Sequence, residues 1–270
     1  MTYESLIVEV RNHIGYIQFN RPDKANALHQ AGWTELQTAF EYMHQQDDVR
    51  VIILSGAGKH FCAGIDLSLL GNIMSNNNSI CRAKVQEKLR AKIIELQNTV
   101  NTIENCSKPV IAAIKGGCIG AGVDIISACD MRYASHDAYF SIREINIGMV
   151  ADLGTLQRLP TLIPQGIVRE MAFTGRNVCA HEAEKIGFIN ESFSDSDTLF
   201  ERVNQIAHTI ATKSPLAIRG TKHILNYSRD HSVADGLNYI ATWNAAMLLS
   251  EDLSESLLAQ QQKRTPVYQH

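Results

Sequence analysis

The chain has 270 residues, enough to bury a sizeable core as one large domain or as one domain with a helical appendage. It is 45% hydrophobic and 20% charged with a formal net charge of −3, so it carries no basic excess for nucleic acid. No apolar run reaches the roughly 18 residues of a membrane span, which leaves a small molecule as the expected partner.

Leu6 to Val10 and Ile14 to Phe19 alternate apolar and polar residues around Asn12-His13, as two strands of a hairpin do. After Asn20-Arg21-Pro22 comes an amphipathic stretch, Trp33 to Met43, with Leu36, Phe40 and Met43 on one face. Val51 to Leu54, ending in Ser-Gly, suits a strand buried on both faces. Asn76-Asn77-Asn78-Ser79 reads as a polar loop, and a long helical pattern follows from Arg82 to Ile103. Pro109 to Ile114 is the next buried strand. It runs into Gly116-Gly117-Cys118-Ile119-Gly120-Ala121-Gly122, a glycine-rich turn expected to open a helix over Val123 to Ala128. Met131 to Ala134 and Ala138 to Ile142 are further short strands. From about Glu201 the pattern is helical to the end, through Leu216 to Leu225, Val233 to Leu249 and Leu253 to Gln262. Tyr239, Trp243 and Met247 form an apolar stripe that either packs on the chain's own core or meets another subunit.

The six cysteines form no CxxC pair, so a zinc site has no support from spacing and no metal is expected. The N-terminal residues lack an apolar signal core, and Tyr268-Gln269-His270 is not a peroxisomal Ser-Lys-Leu address; the expected location is the cytoplasm. None of the ten histidines has a metal-binding context, and no GxSxG elbow supports a serine nucleophile.

Two loops have the character of anion cradles. One is Phe61-Cys62-Ala63-Gly64-Ile65-Asp66-Leu67 and the other is the Gly116 to Gly122 turn. Small residues let the main chain approach a ligand, and the amides of a nascent helix point outward. Two such amides converging on one carbonyl oxygen would stabilise a developing enolate. Taken alone, either loop reads first as a structural turn, and the second is also near a dinucleotide fingerprint. It lacks the N-terminal βαβ setting and the following acidic residue which that fingerprint requires.

These two segments, the second preceded by Lys108 to Lys115, resemble the two signature segments of the crotonase (enoyl-CoA hydratase/isomerase) superfamily. Asn20 to Leu28 resembles that family's N-terminal CoA-contacting loop, and the resemblance continues through Gly187-Phe188-Ile189 and Ser214-Pro215. It implies an α/β fold: a crotonase-like spiral of ββα units over residues 1–200, CoA-binding and catalytic, with a C-terminal α-helical trimerisation region over 201–270. It also implies oxyanion donors at the backbone N–H groups of Ile65 and Ala121. Contacts to an acyl-CoA thioester are implied at Lys24, Ala25, Ala27, Ala63, Gly64, Ile65, Asp66, Leu67 and Gly122, with phosphate contacts at Lys24 and His60 weighed against solvated surface charge. No cofactor is needed beyond the CoA of the substrate, and the assembly would be a homotrimer or a hexamer built as a dimer of trimers.

Three acids stand in apolar, glycine-containing surroundings, where burial is costly without a role or a partner: Asp124, Glu144 and Asp152. Taken as purely structural, Asp124 would favour its helix N-terminus, Glu144 would pair with Arg143 or Arg132, and Asp152 would cap a helix over Leu153 to Leu159. In the crotonase frame, hydratases place two glutamates at the positions of Asp124 and Glu144. The triplet, with Gly117 to Arg132, Tyr227 to Val233 and Ala241 to Asn244, is similar to the Δ3,5-Δ2,4-dienoyl-CoA isomerases. The resemblance implies isomerisation of a 3,5-dienoyl-CoA in fatty-acid β-oxidation. The alternatives are an enoyl-CoA hydratase using Asp124 and Glu144, and a non-catalytic acyl-CoA-binding or scaffold protein.

Overall fold

The computed structural model describes residues 3–69, 71 and 81–269; the polar segment at 76–79 lies outside them. The strands in chain order are β1 (Leu6–Arg11), β2 (Ile14–Phe19), β3 (Val51–Gly56), β4 (Val110–Ile114), β5 (Gly117–Ile119), β6 (Met131–Ser135), β7 (Tyr139–Ser141), β8 (Val178–Cys179) and β9 (Glu191–Phe193). A six-stranded sheet runs β1-β2-β3-β4-β6-β9, and a three-stranded one runs β5-β7-β8. The hairpin β1–β2 is antiparallel, with Arg11 opposite Ile14, and both turn residues, Asn12 and His13, adopt positive φ. That is the chemistry a two-residue hairpin loop demands. The joins from β2 through β9 are parallel. This explains why β3 and β4 are buried at every position: a parallel sheet is covered on both faces.

One face of the large sheet carries the main core. Helix α1 (Gln30–Gln45) buries Trp33, Leu36, Phe40 and Met43 there, and α2 (Arg82–Asn105) adds Leu96, Val100 and Ile103. The helices that follow are α3 (Ala121–Ser127), α4 (Thr155–Leu162), α5 (Gln165–Thr174), α6 (Ala180–Lys185) and α7 (Ser196–Ala211). Helix α7 covers the opposite face, where Leu199, Val203, Ala207 and Ala211 meet Ile14, Val51, Ile53, Ile111 and Ala113. The expected division at residue 200/201 therefore falls inside a helix that belongs to the sheet's second core. The outer helical layer begins later, with α8 (Pro215–Arg229), α9 (Val233–Met247) and α10 (Glu251–Gln261).

Each of those three helices starts on a serine whose Oγ accepts an N–H of the first turn: Ser214 from Ala217, Ser232 from Asp235 and Ser250 from Leu253. Lysine 222 fastens the layer to the core. Its buried Nζ donates to the carbonyls of Lys108 and Ile103 and to Asp130 Oδ2, the last at 2.8 Å. The Tyr239–Trp243 stripe packs on α8, against Tyr227, His223 and Gly220. Val233, Leu237 and Leu249 remain exposed.

The glycine-rich segment differs from its sequence reading. Gly117–Ile119 forms a strand parallel to Tyr139–Ser141, and the helix starts at Ala121 rather than Val123. Glycine has little strand preference of its own, so only the partner strand, supplied by tertiary structure, reveals β5.

Candidate active site

Three loops meet above the parallel strands and are knitted by main-chain bonds. Ala63 N–H donates to the Ala25 carbonyl at 3.0 Å, Leu28 N–H to Gly64 at 2.8 Å, and Asp66 N–H to Leu28 at 3.0 Å. Cys62 N–H donates to Gly117, and Ile119 N–H donates back to Cys62 at 2.9 Å. Side chains tighten the join: Asn26 Nδ2 donates to the carbonyls of Ala57 and His60, and Arg21 to that of Ala27 and to Asp66. His60 Nδ1 accepts the Gly117 N–H at 2.9 Å, which makes His60 a clasp between two loops.

Glycine is required at two of these positions. Gly64 (φ +89°) lies so close to the second loop that a Cβ would stand 2.8 Å from the Ile119 carbonyl oxygen and 3.3 Å from the Ala121 nitrogen. Gly120 (φ +54°) is similarly pressed against Glu144 Oε1, at 2.9 Å. The Ile65 and Ala121 amides therefore sit on facing loops in near contact. Ala121 is the first residue of α3 and has no intrahelical acceptor; among the described residues neither amide has a hydrogen-bond acceptor.

Both amides border a cavity of about 540 Å³. Its wall is largely apolar: Ile65 and Leu67 from the first loop, Leu89, Ile93 and Leu96 from α2, and Ile119, Ile147, Met149 and Leu153. Two carboxylic acids interrupt that lining, Glu144 and Asp152. Glu144 opens the short 3-10 turn Glu144–Ile147 after β7, and its Oε2 is buried without a partner. Burial, then the charge of nearby Asp124, push its carboxyl up to about 7. Asp152 is half-buried, and burial raises its carboxyl as well. Its main-chain oxygen is held by Gln97 Nε2 at 2.7 Å.

Asp124 stands behind this wall. It is 1% exposed, and its Oδ1 accepts the Thr155 N–H, the first amide of α4, at 2.6 Å. Burial pushes its carboxyl up to about 6 against the hydrogen bonds from Thr155. The structure thus joins the three acids in two tiers, with Glu144 and Asp152 facing the cavity and Asp124 anchoring the turn that carries Asp152.

The purely structural roles considered for Glu144 and Asp152 do not match the coordinates, whereas Asp124 does lie in the first turn of its own helix. Arg132 spends its donors on the carbonyls of Phe188, Ile126 and Cys129, and Arg143 bonds Ser141 and Asn177, so neither pairs with Glu144. Gly154, not Asp152, holds the N-cap of α4. The Asp124 carboxylate also accepts the first amide of α4, from Thr155.

A half-buried glutamate whose Oε2 has no partner, a second acid on the same apolar wall and two free amides on facing loops have the chemistry that proton transfer next to a carbonyl would need. Residues 9–270 match the family model described as enoyl-CoA hydratase/isomerase. The chain belongs to the enoyl-CoA hydratase/isomerase (crotonase) family. It is 47% identical over 266 residues to a peroxisomal protein of Arabidopsis thaliana named Δ(3,5)-Δ(2,4)-dienoyl-CoA isomerase, covering 98% of this chain and 96% of that one. It is 44% identical to the human mitochondrial protein of the same name, covering 96% of this chain and 79% of that one. The crystal structure of an enoyl-CoA hydratase from Bacillus anthracis superposes with a TM-score of 0.89 at 31% identity, covering 98% of this chain and 99% of that one.

Against this crotonase fold, the expected contact residues separate. Ala63, Gly64, Ile65, Leu67 and Ala121 line the cavity. Lys24 is exposed at the end of the 3-10 turn Pro22–Lys24, while Ala25 and Ala27 lie behind the first loop and take part through their carbonyls. Asp66 is engaged by Arg21 and by Ser68. Gly122 is a packing position, where a Cβ would stand 2.8 Å from the Cys62 carbonyl oxygen. Sequence reading missed Thr155, Gln97 and the α2 residues. The spacing of Leu89, Ile93 and Leu96 marks one helix face, but nothing in that spacing says the face meets a cavity rather than the core. Among the described residues no group of His, Cys, Asp and Glu side chains is arranged to hold a metal ion, and no helix is long and apolar enough to cross a membrane.

Proposed function

We propose that this protein isomerises 3,5-dienoyl-CoA to 2,4-dienoyl-CoA, moving a proton from C2 to C6 through a dienolate. The observation that carries the reading is the pairing of Glu144 and Asp152 on one apolar wall, beside the free amides of Ile65 and Ala121. Loss of a C2 proton gives a conjugated dienolate, and protonation at C6 yields the 2,4-dienoyl thioester. C2 and C6 lie several bonds apart, so a base and a separate acid are required. Glu144 accepts the C2 proton, Asp152 delivers one to C6, and the two amides hold the thioester oxygen while negative charge develops on it. Asp124 tunes the pair by its charge and holds the Asp152 turn through Thr155.

The relatives named dienoyl-CoA isomerase, aligned over nearly the whole chain, support the same reading. Acyl-CoA thioesters are the substrate class, no cofactor beyond the substrate's CoA takes part, and the chemistry fits a step of fatty-acid β-oxidation. Homotrimer or hexamer formation through the outer helices and cytoplasmic residence belong to the proposal and are read by sedimentation and by fractionation.

The test is incubation with 3,5-octadienoyl-CoA while following the longer-wavelength 2,4-dienoyl chromophore. No new chromophore at micromolar enzyme would sink the reading. A hydratase would need Asp124 and Glu144 at one substrate, and Asp124 is instead committed to Thr155 behind the wall. Stable absorbance of a 2-enoyl-CoA under the same conditions is therefore expected. Binding of the dienoyl-CoA without any product would favour a binding or scaffold protein.

A further inference from the structure

In the proposed reaction Glu144 and Asp152 finish a turnover in the opposite protonation states from those in which they began. Glu144 has gained the C2 proton and Asp152 has given its own to C6. Before the next substrate reacts, one proton must leave Glu144 and one must reach Asp152. Glu144 borders the acyl cavity and can release its proton to water once product has left.

Asp152 has a second outlet. With Leu153 it lines the acyl cavity and also a separate cavity of about 370 Å³. The walls of the second cavity are far more polar than those of the first, and include Gln97, Asn101, Glu104, Gln157, Arg158 and Asp230. Gln157 and Asp230 are exposed, so the cavity reaches solvent. Its polar walls are themselves braced: Arg158 donates to Asn101 Oδ1 at 2.7 Å and to Glu104 Oε2 at 2.8 Å, and Arg229 closes on the other Glu104 oxygen. Burial acts to raise Glu104, but the bonds from both arginines outweigh it and keep its carboxyl below the usual range, so Glu104 braces the wall and does not carry the proton. Gln97, by holding the Asp152 carbonyl, keeps that residue between the two cavities.

We propose that the polar cavity is the route through which solvent water returns a proton to Asp152 between turnovers, while the apolar cavity serves the acyl chain. The inference rests on the isomerase reading. Water is the only co-reactant: a hydronium ion or buffer acid gives one proton to the Asp152 carboxylate, and Glu144 returns one to solvent.

Two mouth-filling variants, Gln157→Trp and Asp230→Trp, test this with 3,5-octadienoyl-CoA in single-turnover and steady-state experiments. The first turnover should stay within about twofold of wild type, because chemistry uses the proton already on Asp152. In at least one variant the steady-state rate should fall about threefold or more below that first turnover, giving a burst that wild type lacks. A purely structural defect would slow both phases together. Smaller differences in both variants overturn the route. As a second measurement, wild type is given substrate deuterated at C2: protium from water is expected at C6, whereas about half or more of the label at C6 would mean direct transfer from Glu144 to Asp152 and overturn the proposal. Absence of any product points instead to failure of the isomerase reading.

Discussion

The loops around the acyl cavity and the outer helices α8 to α10 are held in different ways. The loops are over-determined: main-chain bonds, the Asn26 and Arg21 side chains and two positive-φ glycines leave them one arrangement. The outer helices are locally well specified by their serine caps and joined to one another by a ring cluster, yet they are tied to the core by side-chain bonds from Lys222, Asn226 and Arg229, and much of their apolar surface faces out. Rigidity is concentrated where amides and carboxylates must hold fixed relations, because electrostatic stabilisation of a developing charge depends on donors already in place. The outer layer is free to serve other contacts.

Changes at the cavity wall should have the largest effects. Asp152→Asn and Glu144→Gln are each expected to lower dienoyl isomerisation by about 10²-fold or more while leaving CoA-ester affinity within a few-fold, measured by turnover and by titration calorimetry. Near-wild-type turnover in either would contradict the assigned role.

Gly64→Ala should come next. A side chain at φ +89° that also meets the Ile119 oxygen is expected to cost about 1–3 kcal/mol, read by urea unfolding, with turnover falling further as the Ile65 and Ala121 amides separate.

The pH dependence follows from Glu144 and Asp152. The Glu144 carboxyl sits at about 7 and must be ionised to accept a proton, while Asp152 must be protonated to deliver one, so kcat/KM should be bell-shaped, falling toward tenfold per pH unit on the acid and on the alkaline side. An alkaline limb that persists unchanged in Glu144→Gln, or a profile with no limb on either side, would remove the pair as base and acid.

Asp124→Asn separates stability from activity. Folding raises this carboxyl from its ordinary 3.8 to about 6, so its protonated form favours the native state. That advantage is complete below pH 3.8 and is lost as pH rises through about 6, leaving a charged, buried group above it. The amide should therefore gain about 1–3 kcal/mol at pH 8, seen as a higher Tm, while losing activity. It still offers an oxygen to the Thr155 N–H.

The smallest effect on the single chain belongs to the outer layer. Leu237→Glu, at an exposed site, should change monomer stability by less than about 0.5 kcal/mol yet shift the sedimentation profile toward smaller species. An unchanged profile would show that this face of α9 is not part of the assembly.

Much of the molecule could be read along the chain. The hairpin, the two buried parallel strands and the helices α1, α2 and α8 to α10 follow from periods of two and of three to four, from turn residues at positive φ and from serine caps. These are local properties, set by neighbouring residues. The three acids were also visible, because a carboxyl among apolar and glycine residues demands a reason. Tertiary structure alone decided how they divide. It placed Glu144 and Asp152 on one wall and turned Asp124 back onto Thr155, which comes 31 residues later in the chain. Strand β5 and the cavity face of α2 depend likewise on partners distant in sequence. Pairing, burial and the direction a carboxylate faces are relations between segments, and a one-dimensional pattern carries only the residues that enter them.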